Sequence, residues 1–294
     1  MRTESYLRYL EHEKRYSAHT LKSYTTDLLQ FSAYLQAQYQ LNKESKVELF
    51  HIRSWIVTLV NQKMTAKSIN RKLSTLKSYF KYLQKRGEIK KNPAALVRAP
   101  KIPERLPNTI SPEKIELLLE KRFFGDDFTG RRDKLILALL FETGIRLSEL
   151  IGMEIQDINW SESQIKVLGK RKKERLVHFS NSLRDDLKSY LEARKSISGA
   201  EAALQIFLTT KAKAIYPNLV HRVLKKYLPL VSTSLDRHPH ILRHTFATAL
   251  LNNGADLNAI KELLGHSSLA ANQVYTHNSI EKMKVIYNDT HPKA

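Results

Sequence analysis

Apolar residues in the first third of the chain recur at spacings of three and four. Leu21, Tyr24, Leu28, Phe31 and Leu35 form one such stripe. That is the period of a helix with one buried face. Ser17 or Thr20 is placed to cap its start, and the segment extends to about Gln36. A second stripe, Ile69, Leu73, Leu76, Phe80 and Leu83, predicts a helix that begins near Thr65 and stops at Gly87. Everything before residue 98 reads as helix. The stretch 99–108, APKIPERLPN, then places three prolines in ten residues. Proline removes a backbone donor and pushes its predecessor out of helical geometry, so this stretch is expected to be an extended linker. The predicted organisation is a helical domain over 1–98, the linker, and a second domain over 109–294.

Beyond the linker the period changes. Ser111-Pro112-Glu113 has the composition of a helix start, with a capping hydroxyl, proline in the first turn and an acid at the positive end of the dipole. A strongly apolar helix is expected over Asp133–Thr143, stopped by Gly144. Residues 154–160, 164–168 and 175–179 alternate as strands do, and GKRKKE joins the last two as a tight turn. Helices resume over Ser182–Ser196, around Pro217–Leu228, and from His240 onward. The predicted fold class is mainly α with a small antiparallel β-sheet.

Composition narrows the function classes. The 294 residues include no cysteine, which excludes disulfides, thiolate metal sites and a cysteine nucleophile. No apolar run approaches the roughly 20 residues that cross a bilayer, and the N-terminal residues lack the apolar core of a secretory signal. A cytoplasmic location with no membrane partner is expected. Lys and Arg number 49 against 29 Asp and Glu, a field that favours polyanions such as nucleic acid. The excess is concentrated in residues 1–98, with 19 basic residues against 7 acidic ones. Opposite the second stripe lie Lys67, Arg71, Lys77, Lys81 and Lys85, with Asn70, Ser74 and Ser78 between them and no acid from Thr65 to Arg86. Solvated helices usually mix charge signs, so this face is expected to meet DNA phosphates, positioning the protein rather than selecting bases.

The densest chemistry is C-terminal. In HPHILRH, His240 and Arg243 are three apart and share a helix face, with Leu242, Phe246, Ala249 and Leu250 turned to the core. Asn253-Gly254 ends that helix and Asp256 caps the next, which carries Leu257, Ile260, Leu263 and Leu264 inward. Gly265 stops it, His266 follows, and a last short helix delivers Tyr275. Taken singly, such a His or Tyr is more often a surface or core residue.

The ordered combination of HPHILRH with LLGHSSLAANQVYTH resembles the C-terminal signature of the tyrosine recombinase (phage integrase) family: His-x-x-Arg, then Gly-His, then a nucleophilic Tyr. TGIRLSEL upstream supplies Arg146, and VLGKRKKERLVHF supplies Lys170 on a hairpin. Arg146, Lys170, His240, Arg243, His266 and Tyr275 then fill the six catalytic positions in order. The opening YLRYLEHEKRYSAHTLKSYTTDLLQFSAYL and the terminal HPKA are similar to the Xer-type members. Two places depart from the family pattern. Arg171 follows Lys170 where Gly is usual, and Ala270-Ala271-Asn272-Gln273 stands where a Thr pair is commoner.

The resemblance implies a helical SAM-like core-binding domain and an α+β catalytic domain that form a C-shaped DNA clamp, with no additional N-terminal arm-binding segment. It implies site-specific cleavage and rejoining of double-stranded DNA through a 3′-phosphotyrosine on Tyr275, with no metal, ATP or other cofactor. Paired arginines suit that task, because their forked donors match two phosphate oxygens. Tyrosine titrates near 10 and needs nearby positive charge or a base. His240 is implied as base or phosphate donor, His266 as a hydrogen bond to the phosphate, and Lys170 as the acid for the leaving oxygen. Glu149 is expected to be a structural partner for an arginine.

The implied partners are four protomers on two duplexes, alone or with a second Xer-type recombinase, and a septal DNA translocase as activator. Residues 280–294, with Ile280 and Met283 on one stripe, are expected to dock either on a neighbour or on their own domain. The Xer likeness points to chromosome-dimer resolution in cell division. A mobile-element or integron integrase, an invertase, a type IB topoisomerase-like enzyme, a metal-dependent nuclease and a non-catalytic DNA-binding protein are the rival readings.

Overall fold

The computed structural model describes residues 3–101, 110–169, 174–233 and 237–264. The chain divides into two compact units, Met1–Glu104 and Arg105–Ala294.

The first unit is helical: α1 Thr3–Arg8, running into a π-helical turn at Tyr9–Glu13, then α2 Ala18–Tyr39, α3 Leu49–Asn61 and α4 Ala66–Lys85. Ser17 is the cap of α2, accepting a hydrogen bond from the Thr20 amide at 3.3 Å. Thr65 caps α4 in the same way through the Ser68 amide. Gly87, at φ +74°, ends α4 where a side chain would be strained. Both apolar stripes face inward, and Leu28, Phe31, Leu73, Leu76 and Phe80 are buried with Tyr6, Trp55 and Tyr79.

An ion network crosses this core. Asp27 on α2 is fully buried and accepts from Lys72 Nζ at 3.0 Å, from Thr75 Oγ1 at 2.9 Å and from the Arg71 guanidinium. Lys72 is itself buried and lies 5.8 Å from the Trp55 ring centroid. Removing one member of a buried ion pair costs about 3–5 kcal/mol, whereas exchanging both for apolar groups is close to neutral. Asp27→Leu is therefore expected to lower stability by roughly that amount, and Asp27→Leu with Lys72→Met to recover most of it. Urea unfolding followed by tryptophan fluorescence checks both. Equal losses in the single and double variants would contradict the ionic account.

The second unit is built round α6, Phe128–Thr143, whose residues from Leu135 to Thr143 are all buried. A helix apolar on every side belongs at the centre of a layer. It packs on α8, Asn181–Arg194, and on α10, Pro239–Asn252. Around them lie α5 Pro112–Leu118, α7 Leu147–Gly152, α9 Pro217–Tyr227 and α11 Leu257–Leu263. The sheet has the order β1-β2-β3, from Ile158–Asn159, Gln164–Leu168 and Glu174–His178, all antiparallel. Strands β2 and β3 pair from Gln164↔His178 to Leu168↔Glu174.

Three expectations are corrected. α5 starts at Pro112, but the Ser111 hydroxyl does not cap it. α6 begins at Phe128, before the expected Asp133, because Asp127 accepts from the Gly130 amide at 3.0 Å and opens the helix there. The first strand shrinks from residues 154–160 to Ile158–Asn159. Residues 155–157 instead form a 3-10 turn held by Glu154 N–H donating to the Asp157 carboxylate.

Candidate active site

The site begins where α6 stops. Gly144 adopts φ +57°, a left-handed conformation that ends the helix. It is also crowded: a Cβ there would lie 2.5 Å from Phe246 Cδ1 and 2.9 Å from Leu264 Cδ2. Glycine thus lets α6, α10 and α11 converge. Two residues later Arg146 takes an extended conformation and leads into α7. Its amide donates to Glu149 Oε2 and its Nη1 to Glu149 Oε1, both at 2.8 Å. The arginine keeps 29% of its side-chain surface exposed, while that of Glu149 is fully buried.

The second oxygen of Glu149 also accepts from Arg175 Nη2 on β3, at 2.7 Å. Glu149 is thus the structural partner expected of it, serving two arginines. Arg175 Nη1 continues to the Leu263 carbonyl at 2.8 Å, at the end of α11. Arg243 of α10 joins the cluster, with Nη1 on the Gly144 carbonyl and Nη2 on the Leu264 carbonyl.

Arg243 is buried, whereas His240, one turn earlier, is exposed. The face shared by these two residues therefore does not point uniformly outward, and Arg243 is turned in by two backbone carbonyls. The His238 and His240 rings lie 6.0 Å apart.

Three guanidiniums around one carboxylate leave a net positive, largely desolvated cluster. Burial, with the nearby charges of Arg146 and Arg175 and against the pull of Glu149, lowers Arg243 to about 10. It remains a cation at neutral pH. Burial on its own would raise the Glu149 carboxyl, but Arg175 and the hydrogen bonds from Arg146 hold it below its usual value. A group so depressed stabilises the fold above its unfolded pKa and loses that contribution as pH falls through the folded value.

Glu149→Gln leaves the arginines without their counter-charge, and the expected cost near neutral pH is about 3 kcal/mol. That difference is expected to shrink as pH drops below the ordinary Glu range, where the native carboxyl also protonates. Urea unfolding of both proteins from pH 7 down to pH 3 checks it. A difference that grows with acid would contradict the assignment.

Arg146 and Arg243 are thus brought into one cluster. Lys170, His266 and Tyr275 lie outside the described residues. In the first unit Lys67, Lys81 and Lys85 are exposed and Lys77 is half-buried. Arg71 is exposed too, but its guanidinium is engaged with Asp27 and with the Ser23 carbonyl. Arg175 was not among the expected site residues. The signal for it is the strand alternation, which turns Arg175 and Val177 inward and Leu176 outward. Among the described residues no group of three His, Asp or Glu is placed to hold a metal ion. None of their helices is long and apolar enough to cross a membrane.

Comparison with known proteins covers both units. A model of the phage integrase family matches residues 110–282, and a model of the phage integrase N-terminal SAM-like domain matches residues 3–87. A tyrosine recombinase XerC of Thermodesulfovibrio yellowstonii is 38% identical over 98% of this chain and 95% of its own. The XerC of Chlorobaculum tepidum is 34% identical over 98% of this chain and 94% of its own. Among solved structures, a XerH site-specific recombinase bound to its palindromic difH substrate after cleavage shares the fold. Its TM-score is 0.70 at 20% identity, over 90% of this chain and 78% of that one.

Proposed function

The chain belongs to the phage integrase family as a tyrosine recombinase, an enzyme that cleaves and rejoins DNA at specific sites with a tyrosine nucleophile, and from that premise we propose that Tyr275 is the nucleophile and Arg146, Lys170, His240, Arg243 and His266 complete its catalytic set. The observation that carries this is the convergence of Arg146 and Arg243 in one desolvated cluster whose charge exceeds that of its single carboxylate. Such a cluster is preorganised for a phosphate whose negative charge concentrates in the transition state.

The Tyr275 oxygen attacks phosphorus, the bond to the 5′ oxygen breaks, and a 3′-phosphotyrosine forms. His240 accepts the phenol proton and Lys170 gives one to the departing 5′ oxygen. His266 donates a hydrogen bond to the phosphate. One phosphoester replaces another, so a 5′-hydroxyl of a second duplex reverses the step and completes strand exchange without ATP. Lys67, Lys77, Lys81 and Lys85 supply phosphate contacts from the first unit, and Arg71 adds one through the guanidinium nitrogens that do not bind Asp27 and Ser23.

The biological substrate in this reading is a chromosomal recombination site. Four protomers act on two duplexes in the cytoplasm and resolve chromosome dimers before division, alone or with a second recombinase and a septal translocase. Near-full-length likeness to proteins named XerC supports it. The test is covalent trapping on nicked duplexes, comparing the chromosomal site of the source genome with mobile-element ends. A denaturant-resistant adduct on the chromosomal site is expected. Adducts confined to mobile-element DNA would contradict dimer resolution while leaving the chemistry in place.

A further inference from the structure

Arg175 ties its own strand, β3, to two other parts of the second unit, α7 and the end of α11. Its strand, β3, is the one the chain enters directly after residues 170–173. Nη2 binds the carboxylate that orients Arg146, and Nη1 binds the Leu263 carbonyl at the end of α11. The neighbouring Leu264 carbonyl is held by Arg243. Two consecutive carbonyls at the C-terminal end of α11 are therefore gripped by two buried guanidiniums, and both guanidiniums also reach back to residues 144–149. In sequence, α11 is followed by His266 and Tyr275.

We propose that Arg175 is a positioning residue for DNA cleavage. It sets the orientation of Arg146 through Glu149 and fixes the end of α11 beside Arg243. The inference rests on the catalytic set proposed above.

The physical case has three parts. The Arg175 side chain is only 8% exposed, so its two bonds are shielded from competing water. A planar fork can direct one nitrogen to a carboxylate and the other to a carbonyl in fixed relative directions, which a lysine ammonium does without that constraint. Its charge also governs its neighbours. Arg175 is the foremost influence holding the Glu149 carboxyl ionised against burial, and it adds to the positive field at Arg243. Without it, Glu149 has Arg146 as its one remaining ion-pair partner among these bonds, and its carboxyl protonates at higher pH.

The experiment is single-turnover cleavage of a nicked suicide duplex by the full chain, in native, Arg175→Met, Arg175→Lys, Glu149→Gln and Glu149→Gln/Arg175→Met forms. DNA affinity and melting temperature are measured beside it. Arg175→Met is expected to cleave about a hundredfold more slowly, with DNA affinity within about threefold of native. The acid limb of its pH–rate profile moves to higher pH, because Glu149 then loses its charge earlier. Arg175→Lys recovers part of the rate and most of the native pH profile. Since Arg175 acts partly through Glu149, the double variant is slowed by less than the product of the two single effects.

A native rate in folded Arg175→Met overturns the proposal. So do equal losses of affinity and rate with an unmoved acid limb, the mark of a purely structural residue. If Arg175→Met does not fold, Arg175→Lys with a native rate and profile overturns it instead. Failure of the native protein to form any adduct would point to the catalytic assignment rather than to Arg175.

Discussion

Arg243→Lys is expected to cleave DNA at least about a hundredfold more slowly than the native protein while still binding it. The charge survives the exchange but the geometry does not. Arg243 sends one terminal nitrogen to the Gly144 carbonyl and the other to the Leu264 carbonyl. Its fork still has N–H groups for a phosphate, because five are available and these bonds engage one on each nitrogen. An ammonium has three donors on one atom and cannot span both carbonyls and a phosphate with fixed directions. One buried carbonyl left without its donor costs about 1–3 kcal/mol, so the variant is also expected to unfold at lower urea. Rate falling far more than affinity is the informative result. A variant within threefold of the native rate would show that Arg243 is an internal strut and no part of phosphate recognition.

The larger effect is expected at Tyr275. Phenylalanine keeps the ring and loses the one atom that forms the bond to phosphorus in the proposed mechanism, so on that reading Tyr275→Phe has no nucleophile to activate. Covalent complex formation is expected to fall by on the order of 10⁵-fold or more, to background. DNA affinity is expected to change by less than about fivefold, the scale of one lost hydrogen bond. Gel-shift titration and suicide-substrate trapping on one protein preparation separate the two quantities. A matching collapse of affinity would mean that the variant is misfolded or that the tyrosine grips DNA instead of attacking it.

The local parts of this architecture were legible in the chain because they depend on neighbours in sequence. The stripe from Ile69 to Leu83 gives α4, with Thr65 as its cap and Gly87 as its stop. The apolar pattern alone starts α6 at Asp133, whereas the Asp127 cap opens it at Phe128. The alternation of residues 154–160 fits a strand and a 3-10 turn alike, and the Glu154–Asp157 hydrogen bond decides for the turn.

Buried charge was visible only as an interruption. Lys72 lies three residues after Ile69 and four before Leu76, and Asp27 falls between Tyr24 and Phe31, so each occupies an apolar stripe. That pattern demands a partner without naming it, since the two are 45 residues apart. Glu149 lies three residues after Arg146, a spacing that fits an ion pair, whereas the Arg175 bond to it spans 26 residues and has no local period. For Arg243, helical periodicity cannot show that carbonyls from two other segments draw a guanidinium inward. The proposed catalytic set comes from family resemblance, which preserves sequence order where physical periodicity is silent.

The measurement that bears most directly on the central claim is the identity of the residue joined to DNA. The native protein is reacted with a nicked suicide duplex in EDTA, the denatured adduct is digested with protease, and the nucleotide-bearing peptide is fragmented in a mass spectrometer. The expected result is a single peptide from the region LLGHSSLAANQVYTH with the 3′-phosphate on Tyr275. A phosphate on any other side chain, or an adduct that forms only when a divalent metal is supplied, would contradict it.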